Sequence, residues 1–361
     1  MLHFDFDRLH RIGLTAVLVE RAGRVAGSTD DAALLRVSAI HRETVQLHDG
    51  VGEAAARLSP RLVRELEAAR TQLAVGDWVL ADRDPPPDRR VHARVPPVSH
   101  IARRDGDGSL HAVASNVDLA LLVMGLDDDF NLRRLERYVT LAHACAVAPL
   151  VVLTKADVAA ADPARRDERL ASLGRRMPEG VEAIAVDATD PSSAARLTPF
   201  LVTGRTLVVL GSSGAGKSTL TNTLLGRAVQ DTGAVRANDG RGMHTTTARS
   251  LHLLPGGACI IDTPGVRTLR PDIDEAGLTA SFADVGALAA RCRFRDCTHG
   301  GEPGCAVREG VDPDRLRNFH KLLRETRRDS LTWVERKEQL SAWKSRGKAT
   351  RERMRLKRGG G

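Results

Sequence analysis

Cysteine is scarce in this chain. Five residues in 361 are too few for a disulfide framework and fit a reducing compartment. Long apolar runs are missing too: nothing approaches the ~18 consecutive apolar residues that span a bilayer. The opening Met1-Leu2-His3-Phe4-Asp5-Phe6-Asp7 has neither a basic region nor an apolar core, so no signal peptide is expected. Aromatic residues make up 3% of the chain, and the part before residue 109 holds only Phe4, Phe6 and Trp78, which leaves little surface for stacking on nucleic-acid bases. No internal repeat is visible. A cytoplasmic protein with no membrane association is the expectation.

What is present is positive charge and enough apolar material for packed cores. The formal charge is +8, the pI about 9.7 and the apolar fraction 42%. That balance favours an acidic partner, most simply nucleic acid. The length exceeds one ordinary domain, and three segments separate by pattern. Residues 1–108 carry short β-branched runs at Leu14–Val19, Leu34–Ile40, Thr44–Leu47, Val75–Ala81 and Val91–Val95, punctuated by glycine and proline. A five-stranded oligonucleotide-binding barrel fits them. Within Glu53–Arg70 the second half reads as helix, with Pro60 breaking the first half. Residues 109–275 alternate buried apolar strands (Leu119–Met124, Leu150–Leu153, Val181–Val186, Leu207–Leu210, Cys259–Ile261) with helical stretches, the pattern of an α/β nucleotide-binding domain. Residues 276–361 are helical and basic, and the last 18, Lys344–Gly361, hold eight Lys or Arg against Glu352 alone.

Gly211-Ser212-Ser213-Gly214-Ala215-Gly216-Lys217-Ser218, followed by Thr219, is a phosphate-binding loop between a buried strand and a helix. Its glycines let successive N–H groups face one anion, Lys217 reaches the β- and γ-phosphates, and the Ser218 hydroxyl ligates Mg²⁺. Asp262 ends a buried strand as a carboxylate on the Mg²⁺ side should, and the Gly265 N–H is placed to sense the γ-phosphate. Val266 follows and cannot orient a water, so His244 in Gly242-Met243-His244-Thr245-Thr246-Thr247 is the candidate for that task, with Thr246 offering a further Mg²⁺ hydroxyl.

Thr154-Lys155-Ala156-Asp157 is the base-reading element. The Asp157 carboxylate accepts from N1–H and N2–H₂ of guanine, two donors that adenine lacks, and the Lys155 stem lies across the base. Asn usually opens this motif, so Thr154 gives up the contact on the N7 side. Val186-Asp187-Ala188 ends the next strand and forms the remaining base loop, with the Ala188 N–H toward O6. The base motif precedes the phosphate loop in this chain, whereas an ordinary small GTPase places it after.

Cys292, Cys297, His299 and Cys305 gather three thiols and one imidazole within 14 residues. Such spacing suits tetrahedral Zn²⁺ with no open position, hence a structural ion. Cys145 and Cys259 lie in apolar elements and read as core residues.

In this ordered combination the chain resembles the RsgA family of circularly permuted GTPases. The likeness covers nearly its whole length, and also includes Val75-Gly76-Asp77-Trp78-Val79 and Ala114-Ser115-Asn116-Val117-Asp118. It implies an oligonucleotide-binding barrel, a permuted GTPase domain and a zinc domain. The cofactors would be GTP or GDP, Mg²⁺ and one structural Zn²⁺. It further implies GTP hydrolysis stimulated by the small ribosomal subunit during late maturation, by a monomer that contacts rRNA. The alternative reading is an RNA-binding assembly scaffold with little turnover. An ATPase is opposed by Asp157, and a potassium-assisted GTPase by Gly214 near the position of the asparagine usual in that group.

Overall fold

The computed structural model describes residues 4–27, 32–41, 44–83, 89–104, 110–228, 249–263 and 275–330. Strands β1 (Ala32–Ile40), β2 (Val45–His48), β3 (Glu53–Leu58), β4 (Trp78–Asp82) and β5 (Arg90–Arg94) form the first unit. Their pairing runs β1-β2-β3-β5-β4 and closes through β1–β4, giving a five-stranded barrel. Its interior holds Leu35, Val37, Val45, Leu47, Val79, Ala81 and Val91.

The expected strand at Leu14–Val19 is not a strand. Ala16–Ala26 is a helix, its first turn capped by the Thr15 hydroxyl, which accepts from Leu18 N. Leu18 and Ala22, four apart, form its buried face, and that spacing outweighs the β-branched pair Val17 and Val19. The fifth barrel strand is Glu53–Leu58 instead. Pro60 opens the helix Pro60–Ala68, where its missing N–H costs nothing.

A hairpin of β6 (His100–Arg104) and β7 (Leu110–Ser115) leads to the second unit. There β8 (Leu119–Gly125), β9 (Ala148–Thr154), β10 (Glu182–Ala185), β11 (Thr206–Gly211), β12 (Ser250–Leu253) and β13 (Cys259–Asp262) lie in the order β10-β9-β8-β11-β13-β12. All but β12 are parallel to their neighbours, and β8 and β11 are buried along their whole length, as strands covered on both faces must be. The base-motif strand β9 comes before the phosphate-loop strand β11 in the chain yet lies two strands away from it, across β8. That is the circular permutation in three dimensions.

The motifs at residues 75–79 and 114–118 build the joint between the units. Gly76, at φ +94°, lets the chain pass so close to the Ser115 carbonyl that a Cβ would collide with it. Asn116 Nδ2 donates to the Gly76 carbonyl at 2.9 Å. Arg36, fully buried in β1, donates to the carbonyls of Ile12, Gly76 and Asn116 and lies over the Trp78 ring. One guanidinium therefore gathers the N-terminal segment, the barrel and the start of β8. The sheet itself also crosses the joint, because β1 pairs with β12 through Ala39 and Ser250.

The third unit, residues 275–330, packs helices Glu275–Ser281, Ala283–Ala289 and Pro313–Ser330 around Leu278, Phe282, Val285, Val307 and Leu322. It docks on the helix Leu132–Ala144 of the nucleotide domain. Gly277 sits where any Cβ would strike Ala144. Glu136, 2% exposed, accepts from Arg176 Nε at 2.8 Å, Arg315 Nη1 at 2.7 Å and Asn318 Nδ2 at 2.6 Å. Arg315 also binds Asp284, and Asp314 receives Arg133 and Arg176. Glu136, Arg176 and Arg315 are buried as a mutually satisfied set, with the more exposed Asp284, Asp314 and Arg133 at its rim. Among the described residues no helix is long and apolar enough to cross a membrane.

Candidate nucleotide site and metal cluster

The carboxyl ends of β8, β9, β11 and β13 converge, and ligands of open α/β sheets bind at such an edge. Gly211 ends β11 against the Val123 carbonyl with no room for a Cβ. Gly214 at φ +80° and Gly216 at φ +87° turn the loop, and the helix Lys217–Leu225 starts immediately after. Ser213 and Gly214 are exposed, while Ala215 is buried beneath them. Lys217 Nζ folds back onto the carbonyls of Gly211 at 2.9 Å and Ser212 at 2.6 Å. Burial holds its pKa below the ordinary lysine value, opposed by Asp262 and Asp129. A triphosphate is the charge that would draw this ammonium out of its own loop. Ser218 and Thr219 lie in the first turn of the helix, where orphan N–H groups favour an anion.

Asp262 ends β13 and is 1% exposed, and its Oδ2 has no hydrogen-bond partner among the described residues. Burial pushes its pKa up, against the Lys217 charge. A buried carboxylate oxygen without a partner is the kind of group a hard cation satisfies, so the residues fit Mg²⁺. The next residue, Thr263, ties this strand end to β11 by donating to the Val209 carbonyl at 2.7 Å. Gly265, His244 and Thr246 lie outside the described residues.

Thr154 ends β9 fully buried, and its hydroxyl donates to the Ala215 carbonyl at 2.6 Å. Lys155 adopts the left-handed region, φ +59°, and Ala156 and Asp157 begin a short helix with the Asp157 carboxylate exposed at its mouth. Ala156 N donates to Val186 O, which brings 154–157 beside 186–188. Ala188 O accepts from Thr223 Oγ1 at 2.7 Å, so this loop also touches the helix after the phosphate loop. The Asp187 carboxylate turns to its own loop, accepting from Thr189 N at 2.8 Å and Thr189 Oγ1 at 2.7 Å.

Two acids absent from the sequence reading complete the edge. Asp127 accepts from Lys155 Nζ at 2.6 Å, and Asp129 accepts from Ser212 Oγ at 2.7 Å. Their one local signal is that they directly follow an apolar strand; that its carboxyl end faces the site is set by the strand order.

These positions draw five separate pieces of chain onto one edge, in permuted order. A family model described as RsgA GTPase matches residues 95–271. A small ribosomal subunit biogenesis GTPase RsgA from Xanthomonas oryzae pv. oryzae is 46% identical over 73% of this chain and 72% of its own length. An RsgA 2 from Vibrio vulnificus is 39% identical over 86% of each. The chain belongs to the RsgA GTPase family. The fold is also that of two solved structures. YjeQ from Thermotoga maritima has a TM-score of 0.60 at 22% identity, covering 81% of this chain and 98% of that one. YloQ, described as a circularly permuted GTPase, has a TM-score of 0.58 at 19% identity, covering 85% and 99%. Membership of the RsgA family implies a guanine nucleotide and Mg²⁺ as ligands.

At the far end, Cys292, Cys297, His299 and Cys305 bring one donor atom each within 4.8 Å of all the others. His299 Nδ1 is 3.7 Å from Cys292 Sγ and 3.5 Å from Cys305 Sγ, and those sulfurs are 4.0 Å apart. A tetrahedral zinc with Zn–S of about 2.3 Å and Zn–N of about 2.0 Å has edges of about 3.5–3.8 Å. The donor set is compatible with zinc. Glu302 shapes the turn between ligands by accepting from the N–H groups of Thr298, Gly300 and Gly301.

Proposed function

We propose that this chain hydrolyses GTP to GDP and phosphate, is stimulated by the small ribosomal subunit, and acts in late maturation of that subunit by binding its rRNA. The observation that carries the reading is the convergence of the 211–219 loop, Asp262 and the 154–157 motif on one sheet edge, in a chain 46% identical to small-subunit biogenesis GTPases. The division of labour follows residues 1–108 as RNA-binding barrel, 109–275 as GTPase and 276–361 as zinc domain with a basic tail. The protein works as a cytoplasmic monomer.

Residues 211–219 hold the phosphates through main-chain N–H groups and Lys217, while Asp157 reads guanine and Lys155 covers the base. Ser218, Asp262 and Thr246 hold Mg²⁺, which when bound neutralises charge on the β- and γ-oxygens. Water attacks the γ-phosphorus, and the bond to the β-phosphate oxygen breaks, leaving GDP and phosphate. His244 orients that water, since Val266 offers no polar group, and Gly265 senses the γ-phosphate. Asp187 and Ala188 form the rim on the O6 side, the carboxylate bracing the loop and the Ala188 N–H facing the base. Cys292, Cys297, His299 and Cys305 hold one structural Zn²⁺ that fixes the last domain's turn.

The test is phosphate release from GTP and from ATP, with and without isolated small subunits. Stimulated release from GTP alone is the expected result. Release that small subunits leave unchanged would favour the scaffold reading, and equal use of ATP would remove Asp157 from its role. His244→Ala should abolish stimulation while sparing GTP binding.

A further inference from the structure

Lys155 does not hang free over the base site, and its restraint comes from a residue outside every motif recognised in the sequence. The loop after β8 turns at Gly125, and Leu126 N donates to the Thr154 carbonyl at 2.9 Å, which lays this loop against the base motif. Asp127 Oδ2 receives the Lys155 ammonium at 2.6 Å, and Asp127 Oδ1 accepts from Asp129 N at 3.2 Å, fixing the carboxylate plane. The two side chains are 31% and 29% exposed, so the pair is partly sheltered from water. A Cβ at Gly125 would overlap the Asp127 carboxylate and stand 3.4 Å from Lys155 Cδ. The glycine leaves the space in which the lysine stem lies. Lys155 itself occupies the left-handed region that non-glycine residues avoid, φ +59° and ψ +36°.

We propose that Asp127 is a positioning residue for guanine recognition, acting through Lys155. The inference rests on the reading of 154–157 as the base motif and extends it to a residue that motif does not contain. A free lysine side chain carries rotamer entropy, part of which must be given up when the stem is laid along a base. Tethering the ammonium before the nucleotide arrives removes part of that cost from binding, and the carboxylate neutralises the charge that would otherwise draw the side chain into water. The neighbouring acids have other work. Asp128 faces Arg165, and Asp129 takes Ser212 and Arg134.

Guanine-nucleotide titration of the full-length chain tests this through a double-mutant cycle. Asp127→Ala should weaken GTP and GDP equally, by about 5- to 20-fold, with the change in KM rather than kcat. Lys155→Met should weaken them comparably, and adding D127A to K155M should cost nothing further. Asp127→Glu, which keeps the charge, should recover part of the loss and guards against misfolding of the alanine variant. D127A affinities within twofold of the unsubstituted chain, or losses that simply add, would overturn the proposal while leaving the base motif intact. Failure of the unsubstituted chain to prefer GTP over ATP would overturn both.

Discussion

The hydroxyl of Thr154 donates to the main-chain carbonyl of Ala215 at 2.6 Å, so the base-reading loop is hydrogen-bonded directly to the phosphate loop. Gly216 lies against the same side chain, where an added Cβ would come 3.2 Å from Thr154 Oγ1. The 154–157 segment and the 211–218 loop are thus set directly against each other.

Thr154→Val preserves the shape of this contact and deletes the donor. It leaves a buried carbonyl unpaired, a loss of about 1–3 kcal/mol. Binding of a fluorescent guanine nucleotide should weaken by about tenfold or more, for GTP and GDP alike. Affinity unchanged within twofold would show that the hydroxyl contributes nothing to the site.

Asp262 holds a buried oxygen with no partner among the described residues, and burial raises its pKa. An acid whose folded pKa lies above its unfolded value binds more protons when folded, so stability declines as pH rises through that interval. The nucleotide-free protein should therefore gain thermal stability as the pH is lowered through the folded pKa of Asp262 toward the unfolded value of about 3.9. Asp262→Asn should flatten that dependence and should also abolish Mg²⁺-dependent stabilisation by GTP. Differential scanning fluorimetry against pH, with and without Mg²⁺, reads both; a retained Mg²⁺ effect in the variant would contradict the metal assignment.

The Cys/His cluster lies beside a small apolar core that includes Cys305 itself. Elemental analysis should find one zinc per chain. Cys297→Ser, or removal of the ion with a strong chelator, should abolish the cooperative unfolding of residues 275–330, because structural zinc carries much of the folding free energy of such units. A variant lacking zinc yet showing an unaltered melt would refute this.

The third domain is attached through charge. Replacing Glu136 with Gln leaves Arg176 and Arg315 buried around a neutral group, a change of about 3–5 kcal/mol when one partner of a buried pair is lost. The melting temperature should fall by many degrees, and limited proteolysis should separate the C-terminal helices from the rest. Asp314 adds a pH signature. The Arg133 hydrogen bond, with others from Arg176 and Arg317, holds its carboxyl below the usual carboxylate range. Its contribution is complete above the unfolded value of about 3.9 and disappears as pH falls below it. Asp314→Asn should therefore reduce the acid sensitivity of unfolding below about pH 4.

Much of the nucleotide site was legible because its motifs are local. A glycine-rich turn between a buried strand and a helix, an acid at a strand end and a spaced Cys/His set each declare themselves in consecutive residues. The barrel was legible in outline but not in detail. At Leu14–Val19 the β-branched alternation hid a capped helix, visible only once Leu18 and Ala22 are read as one face. What no local pattern shows is which residues meet across the fold. Asp127 and Asp129 became part of the site because β8 lies between β9 and β11. Glu136 drew its arginines from positions 176 and 315, far along the chain. Gly76 and Asn116 looked like family markers without chemistry until the joint brought them together.

The single pairing of Ala39 with Ser250 makes one β-ladder of two domains. From the barrel wall at β1, the hydrogen-bonded path runs through β12 to β13 and stops at Asp262. Displacing β1 relative to the sheet would therefore be felt within two rungs of backbone at Asp262.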